Sequence, residues 1–212
     1  MINGVFKNNQ YGFFTSNRED FINHLQNKHF IYQKQIHSNI VNFIHKYNKN
    51  DLPIIGDGLL TNCKNLQLLV SFADCLPLII NGNNICGVLH LGWKSLYLGL
   101  LEKTIDILKS YKEYDCQFII GPTILVDNFQ VSQEFFDLFK SHENFDIFYK
   151  NAFKTEIVYK FSLTKAVKNI LNYFQYKNII DTKIDTYTSN TWCSYRREKN
   201  SFDLNFCYVF KE

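Results

Sequence analysis

Cys75 and His90 are the side chains whose spacing most directly suggests chemistry, because the stretch between them folds back on itself. They lie within residues 71–94, SFADCLPLIINGNNICGVLHLGWK. Two apolar runs, LPLII and ICGVLHL, flank the tetrad NGNN, a pattern that predicts two strands joined by a tight hairpin. With Gly82-Asn83 as a two-residue loop, and Gly82 supplying the positive φ of a type II′ turn, the pairing can be counted outward. Asn81 then faces Asn84, Ile79 faces Cys86, Pro77 faces Val88 and Cys75 faces His90. Directly opposed residues lie about 4.5–5.5 Å apart at Cα with side chains on one face. A thiol and an imidazole held that way can share one metal ion or one proton. Two alternatives stand beside this reading. A one-residue slip turns one partner to the other face, and a Cys and a His in apolar strands also serve as ordinary core residues. Pro77 has no N–H to give, so its strand lies at an edge or starts near that point.

Other residues could join the pair. His37 closes a strand-like run, KHFIYQKQIHS, in which Phe30, Tyr32 and Lys34 alternate with Ile31, Gln33, Gln35 and His37. A catalytic zinc keeps protein ligands plus an open position for water, and His37, Cys75 and His90 would make a Cys-His-His set. Asp57, in the Gly-Asp-Gly turn at 56–58, and Asp74 are available as a base or as an orienting partner of a ligand. Equally, Asp57 could be an ordinary exposed turn residue, and Asp74 a cap on nearby amides. A helix starting just after His90 would offer free N–H groups to an anion, as every helix start does. Cys–His nucleophilic catalysis is a competing use of the same atoms.

The elements that must position these residues follow from periodicity. VFKNNQYGFFT has the aromatic content of one or two strands, EDFINHLQNKH fits a short helix, and LQLLVSF reads as a buried strand. GWKSLYLGLLEKTIDILKSY carries Leu96, Leu100, Leu101, Ile105 and Leu108 at helical spacing. DCQFIIGP is a strand with a Gly-Pro end. VSQEFFDLFKSH and SLTKAVKNILNYF are amphipathic helices with Ser132 and Ser162 as N-caps. Between them, NFDIFYKNAFKTEIVYKFS has strand-like alternation, and NFCYVF is a closing strand.

The totals set bounds. The 212 residues, 46% hydrophobic and 17% aromatic, suit one well-buried core, and residues 1–212 read as a single mixed α+β domain. A net charge of +3 is too small to argue for nucleic acid. Arginine occurs only as Arg18, Arg196 and Arg197, which makes each a candidate anion contact. The six cysteines form no CxxC pair, excluding a zinc-finger or disulfide-dense reading. With no apolar run near ~18 residues, the expectation is a reduced, cytoplasmic protein with no membrane partner.

QIHSN at 35–39, GDGLLT at 56–61, ADCLPLI at 73–79, HLGWKS at 90–95, GPTI at 121–124 and SYRRE at 194–198 occur in that order. Together they resemble the bacterial laccase-domain family, also called multicopper polyphenol oxidase or YfiH-like proteins. That family's blocks read QVHG, DALVT, ADCLPV, HAGWRG, GPCI and SYRR. The resemblance implies a layered α/β/β/α fold, a monomer, and one zinc ion on His37, Cys75 and His90. It also implies a purine nucleoside phosphorylase acting on adenosine, inosine, guanosine and methylthioadenosine with phosphate, and an adenosine deaminase. Some members are tied to peptidoglycan precursors. The expected roles are metal ligation by His37, Cys75 and His90, catalysis by Asp57 and Asp74, and substrate contact by Arg18, Trp93, Lys94 and Arg196. Copper is disfavoured by counting: a blue-copper site plus a three-copper cluster needs more imidazoles than the six His present. Departures touch the substrate side. The family's N-terminal Asn-Arg pair corresponds loosely to Asn17 and Arg18, HAGWRG has Lys94 for Arg, and Thr123 replaces the Cys of GPCI. A cysteine-centred amidase and a non-catalytic zinc- or nucleoside-binding protein are the other readings of the same residues.

Overall fold

The computed structural model describes residues 1–6, 9–16, 30–46, 48, 50, 52–199 and 204–211. Two six-stranded sheets dominate it. The first has the order β1-β2-β14-β7-β3-β5, from β1 (Ile2–Phe6), β2 (Asn9–Ser16), β14 (Leu204–Lys211), β7 (Gln67–Phe72), β3 (Phe30–Lys34) and β5 (Ile54–Ile55). The second has the order β13-β10-β8-β9-β6-β4, from β13 (Ile179–Asp181), β10 (Gln117–Ile120), β8 (Leu76–Asn81), β9 (Cys86–Leu91), β6 (Gly58–Thr61) and β4 (Val41–Ile44). Both mix parallel and antiparallel pairs, giving the expected α+β class. The proposed helix at 19–29, with Asn17 and Arg18, lies outside the described residues.

Alternation sorts the side chains into two cores. Leu76, Leu78 and Ile80 point one way into a core shared with the helices, while Ile79, Cys86 and Val88 point the other way. There they meet Phe13, Leu68, Val70 and Val209 of the first sheet. β8 and β9 are therefore apolar on both faces and completely buried, as their near-continuous hydrophobic runs require. Each fully buried Leu or Ile contributes about 1.5–3 kcal/mol. The helices covering the second sheet are α1 (Trp93–Tyr97), α2 (Leu100–Ser110), α3 (Gln133–Lys140) and α4 (Leu163–Tyr173). A last short helix, α5, spans Tyr195–Glu198.

Ser132 and Ser162 cap their helices as expected, accepting from Phe135 N at 3.2 Å and Lys165 N at 3.1 Å. Three local expectations are corrected. The single helix after His90 is two, broken at Gly99, whose φ of 80° is left-handed and open to glycine at little cost. The aromatic stretch at 145–161 is mostly not strand. Residues Phe145–Tyr149 form a π-helical turn and Lys150–Ala152 a 3-10 turn, leaving only the two-residue strands β11 (Phe153–Lys154) and β12 (Lys160–Phe161). Packing decides this, because Phe148 and Tyr149 bury against α3 and α4 rather than lining a sheet face.

The third correction is the hairpin register. Asn81 pairs with Cys86, and Pro77, not Cys75, pairs with His90. The turn is residues 82–85, closed by Gly82 N donating to Ile85 O at 2.8 Å. Gly82 is not among the left-handed glycines. It is there for space: a Cβ would stand 2.5 Å from Glu113 Oε2. That carboxylate accepts from Asn83 N at 2.7 Å and Asn84 N at 2.5 Å, so the turn is held from outside itself. The shift is two residues, so every side chain keeps its face. β8 is an interior strand, and Pro77 is tolerated because β8 begins at Leu76.

Candidate metal centre

At one end of the layer between the sheets, His37, Cys75 and His90 converge. Their ligand atoms all lie within 4.8 Å of one another. Cys75 Sγ is 3.7 Å from His37 Nε2, and the two imidazoles meet edge to face with centroids 4.9 Å apart. Two ligands about 2.3 and 2.0 Å from a tetrahedral zinc stand about 3.5 Å apart, so the spacing fits such an ion. Exposure is graded: His90 is buried, Cys75 partly so, and His37 is exposed. The group is thus shut on the protein side and open on the other.

Gly92 completes the cradle. A Cβ there would lie 2.9 Å from His37 Cδ2 and 3.1 Å from Cys75 Sγ. Its φ of −76° suits any residue, so only the space for the ligands demands glycine.

Asp57 is the organising residue, and it is completely buried rather than exposed on its turn. Its Oδ1 accepts from His37 N at 3.0 Å and faces His90 Nδ1 at 2.9 Å. Its Oδ2 accepts from Ser38 N at 2.7 Å, Ser38 Oγ at 2.8 Å and Ile36 N at 3.2 Å. The backbone carbonyl of Asp57 also takes the His90 amide at 2.8 Å. Burial opposes the charge on Asp57, but the bonds from His90 and Ser38 outweigh it and lower its pKa to about 2. A carboxylate only accepts, so His90 Nδ1 carries a proton and Nε2 is the ring atom left for the site. The left-handed φ of 55° at His37 is held by the same bonds.

Burial pushes the Cys75 thiol up, while His90 and then His37 pull it down further, to about 6. At neutral pH Cys75 is therefore a thiolate. Burial disfavours His90 as a cation, and Cys75 and Asp57 reverse this, raising its pKa to about 9. Thiolate and imidazolium sustain each other, and either a metal cation or a proton satisfies the group.

Asp74 is buried beside Cys75 with its carboxylate taken up by Thr186 Oγ1 at 2.6 Å and Arg196 N at 2.7 Å. The Arg196 guanidinium donates to Gln130 O at 3.1 and 3.2 Å and lies over the Phe129 ring. Trp93 is partly buried, edge-on to Phe135 with centroids 5.2 Å apart, whereas Lys94 is exposed. Arg18 lies outside the described residues. Sequence reasoning passed over Ser38, Gly92 and Thr186. The first two sit inside the quoted motifs QIHSN and HLGWKS, while Thr186 carries no local signal.

Among the described residues no helix is long and apolar enough to cross a membrane. Residues 8–203 match the family described as multi-copper polyphenol oxidoreductase laccase. A purine nucleoside phosphorylase of Rickettsia prowazekii is 28% identical over 201 residues, covering 91% of this chain and 80% of that protein. A purine nucleoside phosphorylase of Aquifex aeolicus is 35% identical over 92 residues, and the match spans 43% of this chain and 45% of that protein's length. The crystal structure of YlmD from Geobacillus stearothermophilus has the same fold, with a TM-score of 0.83, 16% identity and coverage of 98% of this chain and 93% of that one. With the His-Cys-His group, the ordered motifs and a match over nearly its whole length, this chain belongs to the laccase-type, YfiH-like family.

Proposed function

We propose that this protein is a zinc-dependent purine nucleoside phosphorylase of adenosine, inosine, guanosine and methylthioadenosine that also deaminates adenosine. The observation that carries the proposal is the convergence of His37, Cys75 and His90 in a group open on one side. The names of the relatives supply the substrate class. A bound zinc would supply Lewis acidity and an open coordination position. A single Cys-His-His set suits that chemistry better than copper electron transfer.

The chain's own residues do the rest. Asp57 fixes the His90 tautomer and the His37 loop, so the ligand atoms need no rearrangement. Asp57 and Asp74 are the carboxylates beside the ligands, and they serve the reaction by orientation: Asp57 holds the proton on His90 Nδ1, and Asp74 is engaged by Thr186 Oγ1 and Arg196 N. Lys94, exposed two residues after Gly92, offers charge to phosphate, and Trp93 an aromatic edge to the base. In phosphorolysis a phosphate oxygen bonds to ribose C1′ as the C1′–N bond breaks, its electron pair and a proton going to the purine. In deamination water adds at C6 and ammonia leaves.

The test is metal analysis of the purified protein, joined to adenosine turnover with and without phosphate. Stoichiometric zinc is expected, with adenine and ribose 1-phosphate forming only with phosphate, and inosine forming without it. Absence of zinc, or of both products, overturns the proposal. The lowered thiol of Cys75, 3.7 Å from His37 Nε2, favours one second reading, a cysteine amidase. That reading predicts activity that survives chelation, and the proposal predicts its loss.

A further inference from the structure

We infer that Asp74 is a positioning residue that clasps the SYRR segment to the metal ligand beside it, an inference that rests on the metal reading of the site. Asp74 has a φ of 80°, a left-handed conformation that Asp tolerates better than most residues but that persists only where surroundings enforce it. Four bonds enforce it here. The carboxylate accepts from Thr186 Oγ1 at 2.6 Å and Arg196 N at 2.7 Å. The carbonyl accepts from Thr123 Oγ1 at 2.7 Å and Ile124 N at 3.0 Å. Segments 112 and 122 residues away in sequence are thereby tied to the residue that sets the direction of Cys75.

The segment being clasped is itself rigid. Arg197 Nη1 donates to the carbonyls of Thr186, Tyr187 and Ser189, each at 2.8 Å, and its Nη2 donates to Trp192 O at 2.8 Å. Arg196 is held on Gln130 O. Both arginines of the motif are therefore engaged in fixing backbone, and Asp74 transmits that rigidity to Cys75. Removing its carboxylate leaves the left-handed turn beside the thiolate held only by the two bonds to the Asp74 carbonyl.

The experiment compares zinc affinity of the full-length wild type with Asp74→Asn and Thr186→Val, by competition with a chromophoric chelator, alongside circular dichroism. Asp74→Asn keeps the shape but replaces the charged acceptor with a neutral amide, whose oxygen still takes Arg196 N while its NH2 requires the Thr186 hydroxyl to turn and accept. It is expected to weaken zinc binding about 10–100-fold, and Thr186→Val, which removes one donor, by less. The far-UV spectrum is expected to stay that of the wild type. Wild-type zinc affinity in both variants overturns the inference. If Asp74→Asn fails to fold, Thr186→Val decides alone: weakened zinc supports the clasp, and unchanged zinc overturns it. A wild type that binds zinc but turns over no nucleoside sinks the proposed activity and leaves the clasp standing.

Discussion

The hairpin of β8 and β9 ends in polar groups at both tips, and the two tips are finished differently. At the turn, Glu113 accepts from Asn83 N and Asn84 N, and the Lys211 ammonium donates to the carbonyls of the same two residues at 3.1 and 2.6 Å. At the other tip, Asp57 satisfies one side of His90 and the His37 amide, yet the thiolate and the imidazole Nε2 atoms face each other and the open. The contrast separates architecture from chemistry. A carboxylate whose partners are backbone amides alone holds a turn in place, whereas one that adds the far side of a ligand to its backbone amides leaves that ligand's near side free to react.

That contrast can be broken by mutation. The largest effects belong to the ligands. Cys75→Ala and His37→Asn (Asn being at ease with a left-handed φ) should each abolish zinc uptake and cut nucleoside turnover by about 10³-fold or more, with the fold intact by circular dichroism. Asp57→Asn should cost both quantities, about 3 kcal/mol in urea unfolding because donors are left facing a donor, and about tenfold or more in zinc affinity. Glu113→Ala, at the other tip, should lose about 2 kcal/mol by leaving two turn amides unpaired, yet bind zinc like the wild type. A change in zinc affinity there would erase the distinction between the tips.

Two smaller effects concern pH. The Asp57 pKa falls from 3.8 to about 2 on folding, so its stabilisation is present above pH 4 and is lost as pH drops toward 2. This amounts to about 2 kcal/mol, readable as acid unfolding of the wild type that is blunted in Asp57→Asn. Glu102 behaves oppositely. Burial first, and then Asp106, raise its pKa to about 7, and its Oε2 has no partner among the described residues. Folding resists its ionisation, so stability should fall between pH 4.5 and 7 and level off above. Glu102→Gln should remove that slope and gain about 1–2 kcal/mol at pH 8 without touching zinc.

Much of the site was legible because its residues obey local rules. Alternation in β3 and β9 and the ordered motifs pointed to His37, Cys75 and His90 as one group, and the capping serines marked α3 and α4. What escaped depends on partners remote in sequence. The register depends on Glu113, 30 residues beyond Asn83, which dictates the turn, and not on a left-handed Gly82. The ligands keep their faces because the shift is even. The aromatic run at 145–161 alternates like a strand, but as helical turns it seats Tyr149 against Phe139 of α3 and its own Phe161. Asp74 read as a chemical group because nothing near it in sequence announces Thr186 or the Arg196 amide.

Gly92 has an evolutionary corollary. Its backbone would accept alanine without strain, and only the ligand atoms crowding its Cα forbid the extra carbon. One methyl group there presses on His37 and Cys75 before it touches anything else. Position 92 becomes a label by which kindred sequences can be sorted, a side chain there predicting displaced ligands and weaker hold on a cation even where both imidazoles and the thiol persist.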